Sequence, residues 1–368
     1  DPGMKLGTAH SLDLTYQREL PGDFLLEVGY VGRQGRNLTQ AVDMNSVPFM
    51  FKEKISGQIL SAAFTAVEVA VQNGTPIVPQ PWFENMGLAA ACFAGVINNS
   101  NPGCPTGPAP AGTNFGTVTD YLSTQFNQEF GAGDLATPFL SAAGGLDILR
   151  LNCGLSAACV PGMKPITNMQ VQINNLSSDR GTSSYHAGFI TLHKRMSHGL
   201  TFSMNYTLGK SLDLYGLNQE NVQFSYTSPY RPNLDRQPSI FDRRHVFNTH
   251  WYYLLPFGKG QRWAANNTVL DKIVGGWHFA GIMTISSGQP LCPYNGAGSI
   301  NYGAPDAFAC MLPASNFKNP GAKVNDTAGN LNIFANPTAV STMFRYPLMT
   351  TDGRFGYGSI RGLGRWNV

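Results

Sequence analysis

Asp242, Arg243, Arg244 and His245 stand in one uninterrupted run. A carboxylate next to an imidazole is the smallest arrangement that can take up and return a proton. Such a run more commonly forms a salt-bridged rim or turn, and that is the reading adopted. His186, His193 and His198 follow one another at spacings of seven and five residues. On a strand His186 and His193 face oppositely, which argues against a shared metal ion. The Gly-rich stretches Gly32 to Gly35 and Gly353 to Gly358 lack the strand–turn–helix setting of a phosphate loop and read as turns or kinks. No catalytic constellation is present, so the expectation is a protein without enzymatic activity, cofactor or metal.

The six cysteines fall into three local pairs, Cys92 with Cys104, Cys153 with Cys159 and Cys292 with Cys310, all in Gly/Pro/Asn-rich sequence. None forms CxxC and no His lies at metal-ligand spacing, which argues against zinc. Each pair would close a short loop at little cost in chain entropy. Three disulfides made in an oxidising compartment are therefore expected, with free buried thiols as the alternative.

The elements that carry these residues show in composition and period. Charged residues are 13% of the 368, about half the share usual in soluble proteins, and hydrophobic residues are 42%. Neutral polar residues and glycine fill the difference, and the 41 Gly and 24 Pro point to many turns and argue against a helical bundle. The net charge of +3 is scattered without a basic stripe, which excludes a nucleic-acid partner as a working reading. The apolar run Leu88 to Ile97 is too short for a membrane helix. The chain opens Asp1-Pro2-Gly3, without Met or a basic leader, and is expected to be processed or a fragment.

Period two dominates. Leu12, Leu14 and Tyr16 alternate with Ser11, Asp13, Thr15 and Gln17; Phe202, Met204, Tyr206 and Leu208 alternate with Ser203, Asn205 and Thr207. Phe24, Leu26, Val28 and Tyr30 share one face, as do Trp277, Phe279, Met283 and Ile285; over 184–195 the assignment is ambiguous, because Phe189 opposes Ile190 and Leu192. Tight or moderate connections ("ELPGDF", "RMSHGL", "LPFGKGQRW") alternate with long ones at about 34–182, 213–240 and 289–355. Within the first long connection, residues 53–72 carry helical spacing and read as a surface helix.

An antiparallel up-and-down transmembrane β-barrel, present in part, fits best, with short periplasmic turns and long extracellular loops carrying some helix. Three features separate it from a soluble sandwich with an aromatic core. Short turns alternate with long loops, aromatic residues gather near strand ends, and the polar faces of the strands at 11–19 and 200–209 are polar throughout. On this reading Phe247, Trp251, Tyr253 and Leu255 face lipid, together with Leu12, Leu14, Phe202, Met204 and Tyr206. Asn248, His250 and Tyr252 face the lumen, with Ser11, Asp13, Ser203 and Asn205. The turn at Pro256–Gly260 lies at the periplasmic rim and Asp242, Arg243 and Arg244 toward the outer rim.

Four segments carry a resemblance to a known family: "LTYQRELPGDFLLEVGYVGRQGRNL" (14–38), "SSYHAGFITLHKRMSHGLTFSMNYTLGKSLD" (183–213), "NLDRQPSIFDRRHVFNTHWYYLLPFGKGQRW" (233–263) and "GGWHFAGIMTISSGQP" (275–290). In this order they resemble the C-terminal barrel half of TonB-dependent outer-membrane receptors, nearest to the Oar-like group of the Acidobacteria type with a carboxypeptidase-regulatory-like domain. "SIRGLGRWNV" (359–368) resembles that group's "RGPGFWN" segment, departing at Leu363 and Arg365. The resemblance implies a barrel closed around an N-terminal plug. Neither plug nor TonB box is recognisable here, so residues 1–368 are expected to be a barrel fragment of six to ten strands.

The resemblance further implies a receptor or transporter for a large ligand in the bacterial outer membrane. Outer-membrane lipid and lipopolysaccharide would surround it, and TonB would engage it through the N-terminal part. Ligand contact would fall to loop aromatics, for which Trp82, Phe83, Tyr121, Tyr215, Tyr226, Tyr230, Tyr294 and Tyr302 are the candidates. The alternative is a disulfide-stabilised cell-surface adhesin or interaction β-domain without transport; a secreted β-rich hydrolase is a more distant third.

Overall fold

The computed structural model describes residues 3–43, 50, 52, 55–85, 117–133, 175–214, 231–263, 268–293, 310–323, 325–327, 330–348, 350–352 and 358–368. Its centre is one antiparallel sheet built from β1 (Thr8–Leu20), β2 (Phe24–Asp43), β3 (Asn175–Ser197), β4 (Leu200–Asp213), β5 (Gln237–Pro238), β6 (His245–Leu254), β7 (His278–Ser286) and β14 (Arg365–Asn367). The strands pair in chain order β1-β2-β3-β4-β6-β7-β14, with β5 on the end of β4, and the sheet does not close on itself. Three two-stranded pieces accompany it: β8 (Pro290–Leu291) with β13 (Ile360–Arg361), β9 (Leu312–Pro313) with β12 (Phe344–Arg345), and β10 (Asn325–Thr327) with β11 (Asn330–Asn332). The helices are α1 (Leu60–Asn73), α2 (Pro81–Glu84), α3 (Val118–Gln125), α4 (Asn127–Ala132), α5 (Thr268–Val274) and α6 (Pro337–Ser341). Among the described residues no helix is long and apolar enough to cross a membrane, which says nothing about strands.

The hairpins β1–β2, β3–β4 and β6–β7 expected from the turns all form. At the tightest, Ser197 pairs with Leu200 around His198 and Gly199, both at positive φ (52° and 78°). Two consecutive positive-φ residues make a type I′ turn, whose twist matches that of paired strands. A Cβ on Gly199 would also lie 2.7 Å from the Leu254 carbonyl oxygen of the neighbouring strand.

Directly paired residues share a face, so the register sorts every side chain. One face carries rungs such as Tyr16–Val28–Ile190–Tyr206–Phe247–Ile285 and Leu20–Phe24–Lys194–Phe202–Trp251. The other carries Asp13–Val31, Gln17–Glu27–Thr191–Asn205–Asn248–Thr284 and His193–Ser203–His250. All the residues named above for the apolar face within these strands, and all those for the polar face, fall where alternation places them. Phe189, the ambiguous residue of 184–195, lies on the polar face. Its ring covers Gly29, where a Cβ would come within 2.4 Å of the ring, so a larger residue at 29 would displace it. Ile282 also sits on the polar face of β7, exposed, among His278, Ala280, Thr284 and Ser286.

Two connections differ from expectation. β2 runs to Asp43 and β3 starts at Asn175, so the long connection expected over 34–182 is shorter at both ends. Apolar alternation fades there, but backbone pairing does not require it, and the ladder continues through register shifts between Gly35, Leu38 and Gln40. Residues 53–72 are not a lone surface helix: α1 spans Leu60–Asn73 and its Leu60, Phe64 and Val67 are buried against α2–α4.

The two faces predict unequal mutational costs. Met204 lies on the apolar face of β4, between the rungs of Phe202 and Tyr206; Met204→Arg is expected to cost about 2–4 kcal/mol near a bilayer midplane. Asn205, one residue on, donates from Nδ2 to Thr191 Oγ1 at 2.7 Å on the polar face. Asn205→Ser is expected to cost about 1 kcal/mol. Denaturant titration of the protein refolded into lipid vesicles measures both, and equal costs would contradict the assignment of faces.

Candidate functional site

At one end of the sheet sit the tight turns and an aromatic level. Phe24 packs edge-on to Phe202 (6.0 Å) and Trp251 tilts against Phe279 (6.1 Å). Lys194, on the same rung, crosses the Phe24 ring at 4.7 Å and donates from Nζ to the Gly22 carbonyl in the turn. A lysine whose stem lies along apolar surface while its ammonium reaches a turn is snorkelling. Toward the other end the same face carries two matching pairs. Tyr30 OH and His186 Nδ1 lie 2.6 Å apart, Tyr206 OH and His245 Nδ1 2.8 Å apart, and each pair is stacked at 6.2 Å. From Phe24 to Tyr30 the strand runs about 20 Å, which at the usual tilt of barrel strands covers more than half the height of the apolar band of an outer-membrane barrel. Between the two levels lie Leu26, Val28, Ile190, Leu192 and Met204. An apolar band bounded by polar-tipped rings on one face, opposite a hydrogen-bonded polar face, is what a bilayer boundary demands of a strand protein.

The family model described as outer membrane beta barrel domain matches residues 1–368. The chain belongs to that family. This places it in the bacterial outer membrane, with outer-membrane lipid against its apolar face. No curated protein and no solved structure gave a match.

Beyond the Tyr–His level the barrel domain carries its chemistry-bearing run. Asp242 is not a solvated rim charge; its side chain is 1% exposed. Its Oδ1 accepts the Ser211 N–H at 2.6 Å and its Oδ2 meets Arg361 Nη2 at 2.5 Å. Arg361 Nη1 also donates to the carbonyls of Asp242 and Gly288, and Arg243 Nη1 to the carbonyl of Ser287. Four stretches, the end of β4, the entry to β6, the exit of β7 and β13, are thereby tied together. The imidazole of His245 engages Tyr206 instead of Asp242, so the run is a structural clasp. His186 and His193 fall on opposite faces.

The first long connection holds a helical cluster with its own core: Leu60, Phe64, Phe83, Leu122 and Phe130 are fully buried, and the Phe64 and Phe130 rings stack at 4.6 Å. The Glu84 carboxylate caps α3 by accepting the N–H groups of Val118 and Thr119, where a negative charge also suits the helix dipole. Trp82, a candidate ligand aromatic, is 3% exposed and packs on Phe83 inside this cluster, so its place is internal and not on an open surface. Tyr121 lies in α3. Tyr215, Tyr226, Tyr230, Tyr294 and Tyr302 lie outside the described residues, as do Cys92, Cys104, Cys153 and Cys159. The Cys292–Cys310 disulfide forms as expected, across a separation of 18 residues.

Glu68 of α1 has no counterpart in the sequence reading. It is buried; Oε1 accepts from Gln72 Nε2, and Oε2 has no hydrogen-bond partner among the described residues. Gln72 Nε2 also donates to the Gly131 carbonyl. A Cβ on Gly133, at the end of α4, would lie 2.8 Å from Glu68 Oε1 and 3.4 Å from the Pro347 carbonyl oxygen. Two long connections therefore meet at Glu68. On the Pro347 side Arg345 and Asp352 form an ion pair, and Asp352 accepts the Leu348 N–H. Burial, with a smaller push from the Asp352 charge, lifts the Glu68 carboxyl from 4.5 to about 9, against the opposing effects of Gln72 and Arg345.

Two outcomes follow. Asp242→Ala leaves Arg361 without its carboxylate and is expected to cost about 3 kcal/mol, the low end for a buried pair because Arg361 stays partly in water. A double-mutant cycle with Arg361→Ala checks this: the double variant should cost clearly less than the sum of the two. For Glu68 the folded pKa lies above the unfolded one, so the native cluster binds the extra proton and loses stability as pH rises between 4.5 and about 9. Glu68→Gln is expected to remove that slope and protect α1 by roughly 2–3 kcal/mol at pH 7, read by amide exchange of residues 60–73.

Proposed function

We propose that this outer-membrane β-barrel domain is part of a TonB-dependent receptor of the Oar-like type, taking up or exporting a large ligand held by its long connections. The observation that carries the reading is the contrast between the two ends of one sheet. At one end the β1–β2 and β3–β4 turns are a few residues long and the β6–β7 connection, residues 255–277, is of moderate length. The connections of the other end hold a packed helical cluster, a disulfide and a clasp joining four stretches. An inert pore rim has no need of a separately cored layer, whereas a receptor must hold binding loops in place against solvent. The four segments resembling Oar-like receptors supply the link to TonB; they lie mainly in the strands and the connections of the tight-turn end, with residues 233–244 in the connection that leads into β6.

In its own host, deletion of the gene and deletion of TonB are compared for growth-medium components left unconsumed and for components retained by the cell. The receptor reading expects the same component to shift in both strains and collapse of the proton gradient to reproduce the effect. A change in surface attachment that is indifferent to TonB and to the gradient would support the adhesin and overturn transport.

A further inference from the structure

The connection between β6 and β7 is more than a turn. Its helix α5 buries none of its residues. Val269, Leu270 and Ile273 are 67%, 50% and 62% exposed. Positions i, i+1 and i+4 lie on one side of a helix, so these three form a single apolar strip. The opposite side is fixed to the protein: Asp271 Oδ1 accepts the Lys259 N–H of the turn at 2.5 Å, and the Gly275 N–H closes the last turn of the helix on the Asp271 carbonyl. A Cβ on Gly258 would touch Gly275, so the turn and the end of the helix lie against each other. Trp277 Nε1 donates to the Ile273 carbonyl at 2.6 Å, which lays the exposed indole beside the strip.

Trp277 leads directly into Phe279, Met283 and Ile285 on the lipid-facing side of β7. The strip therefore continues a surface already in contact with lipid. Lys272 of the helix and Lys259 and Arg262 of the turn packed against it are exposed, with Arg262 over the Trp263 ring at 5.8 Å. Aliphatic side chains on one side, indoles at the edge and cations around them are the features of a helix lying in a headgroup–acyl boundary.

We propose that α5, with Trp263 and Trp277, is an interfacial anchor that seats the β6–β7 turn in the phospholipid leaflet at the tight-turn end of the barrel. The aliphatic strip enters the upper acyl region, and Lys259, Arg262 and Lys272 face lipid phosphates. The occupant is lipid rather than protein because the strip is continuous with the lipid-facing strands.

The test uses the intact protein in vesicles of phosphatidylethanolamine and phosphatidylglycerol. These contain a phospholipid bearing a diazirine either near the glycerol end or near the tip of its acyl chain. Peptide mapping after photolysis is expected to show the glycerol-end probe on residues 269–277 and the chain-tip probe on Ile190 and Met283. Leu270→Ser with Ile273→Ser is expected to lower the labelling of 269–277 at least about threefold, with labelling of Ile190 unchanged. Chain-tip labelling of Ile190 and Met283 with no glycerol-end labelling at 269–277 would overturn the proposal, whether the helix then faces water or a second protein. So would labelling of 269–277 that the double variant leaves intact.

Discussion

A peptide N–H or C=O that enters hydrocarbon without a partner costs several kcal/mol, and the rest of this structure follows from that. The strands meet it by pairing with their neighbours in chain order. Pairing along the whole length permits strict alternation, and alternation in turn separates an oily face from a wet one. The Asn205–Thr191 and Gln17–Glu27 bonds on the wet face and the Tyr–His pairs on the oily face are consequences of that separation. None of these contacts decides the topology. Each makes the chosen register better than one slipped by a residue.

What could be read from the sequence follows the same division. Hairpins, faces and the rise of the aromatic levels were legible because period two is a local property of side chains, visible wherever one face is apolar. The ends of β2 and β3 were not, because residues 34–43 and 175–182 pair through backbone with little alternation to mark them. Phe189 was ambiguous for a different reason: an aromatic ring on the wet face makes sense only when Gly29 is known to lie beneath it, and the two are far apart in sequence. The helical cluster was half legible. Spacing identified a helix, but burial on its apolar side depends on Phe83, Leu122 and Phe130, whose approach no local pattern announces. Glu68 could not have been singled out, since a buried carboxyl differs from an exposed one only through its surroundings.

Asp242 forms the salt bridge its run suggested, but with a partner no local pattern names. His245 stands three residues on, whereas the partner of Asp242, Arg361, is separated from it by 119 residues. The geometry divides the run: Asp242 turns toward β13, Arg243 toward the exit of β7, and His245 to a tyrosine on the oily face. Three functional groups within four residues thus serve three separate structural junctions, and the clasp holds the β4–β6 and β7–β13 edges at a common level.

The two-residue turn at His198-Gly199 and the cored connection between β2 and β3 also set how such a gene can vary. An inserted or deleted single residue within β3 or β4 would exchange oily and wet faces along the remainder of the strand, so inheritance there proceeds by substitution. The turn offers no slack, since lengthening it shifts the register of both strands it joins. The connection beyond Asp43 is under no such arithmetic: segments of any length can be gained or lost there without altering a single rung. Lineages of this domain should therefore keep the barrel wall in fixed measure while their long connections diverge in size, with the wall as the constant frame.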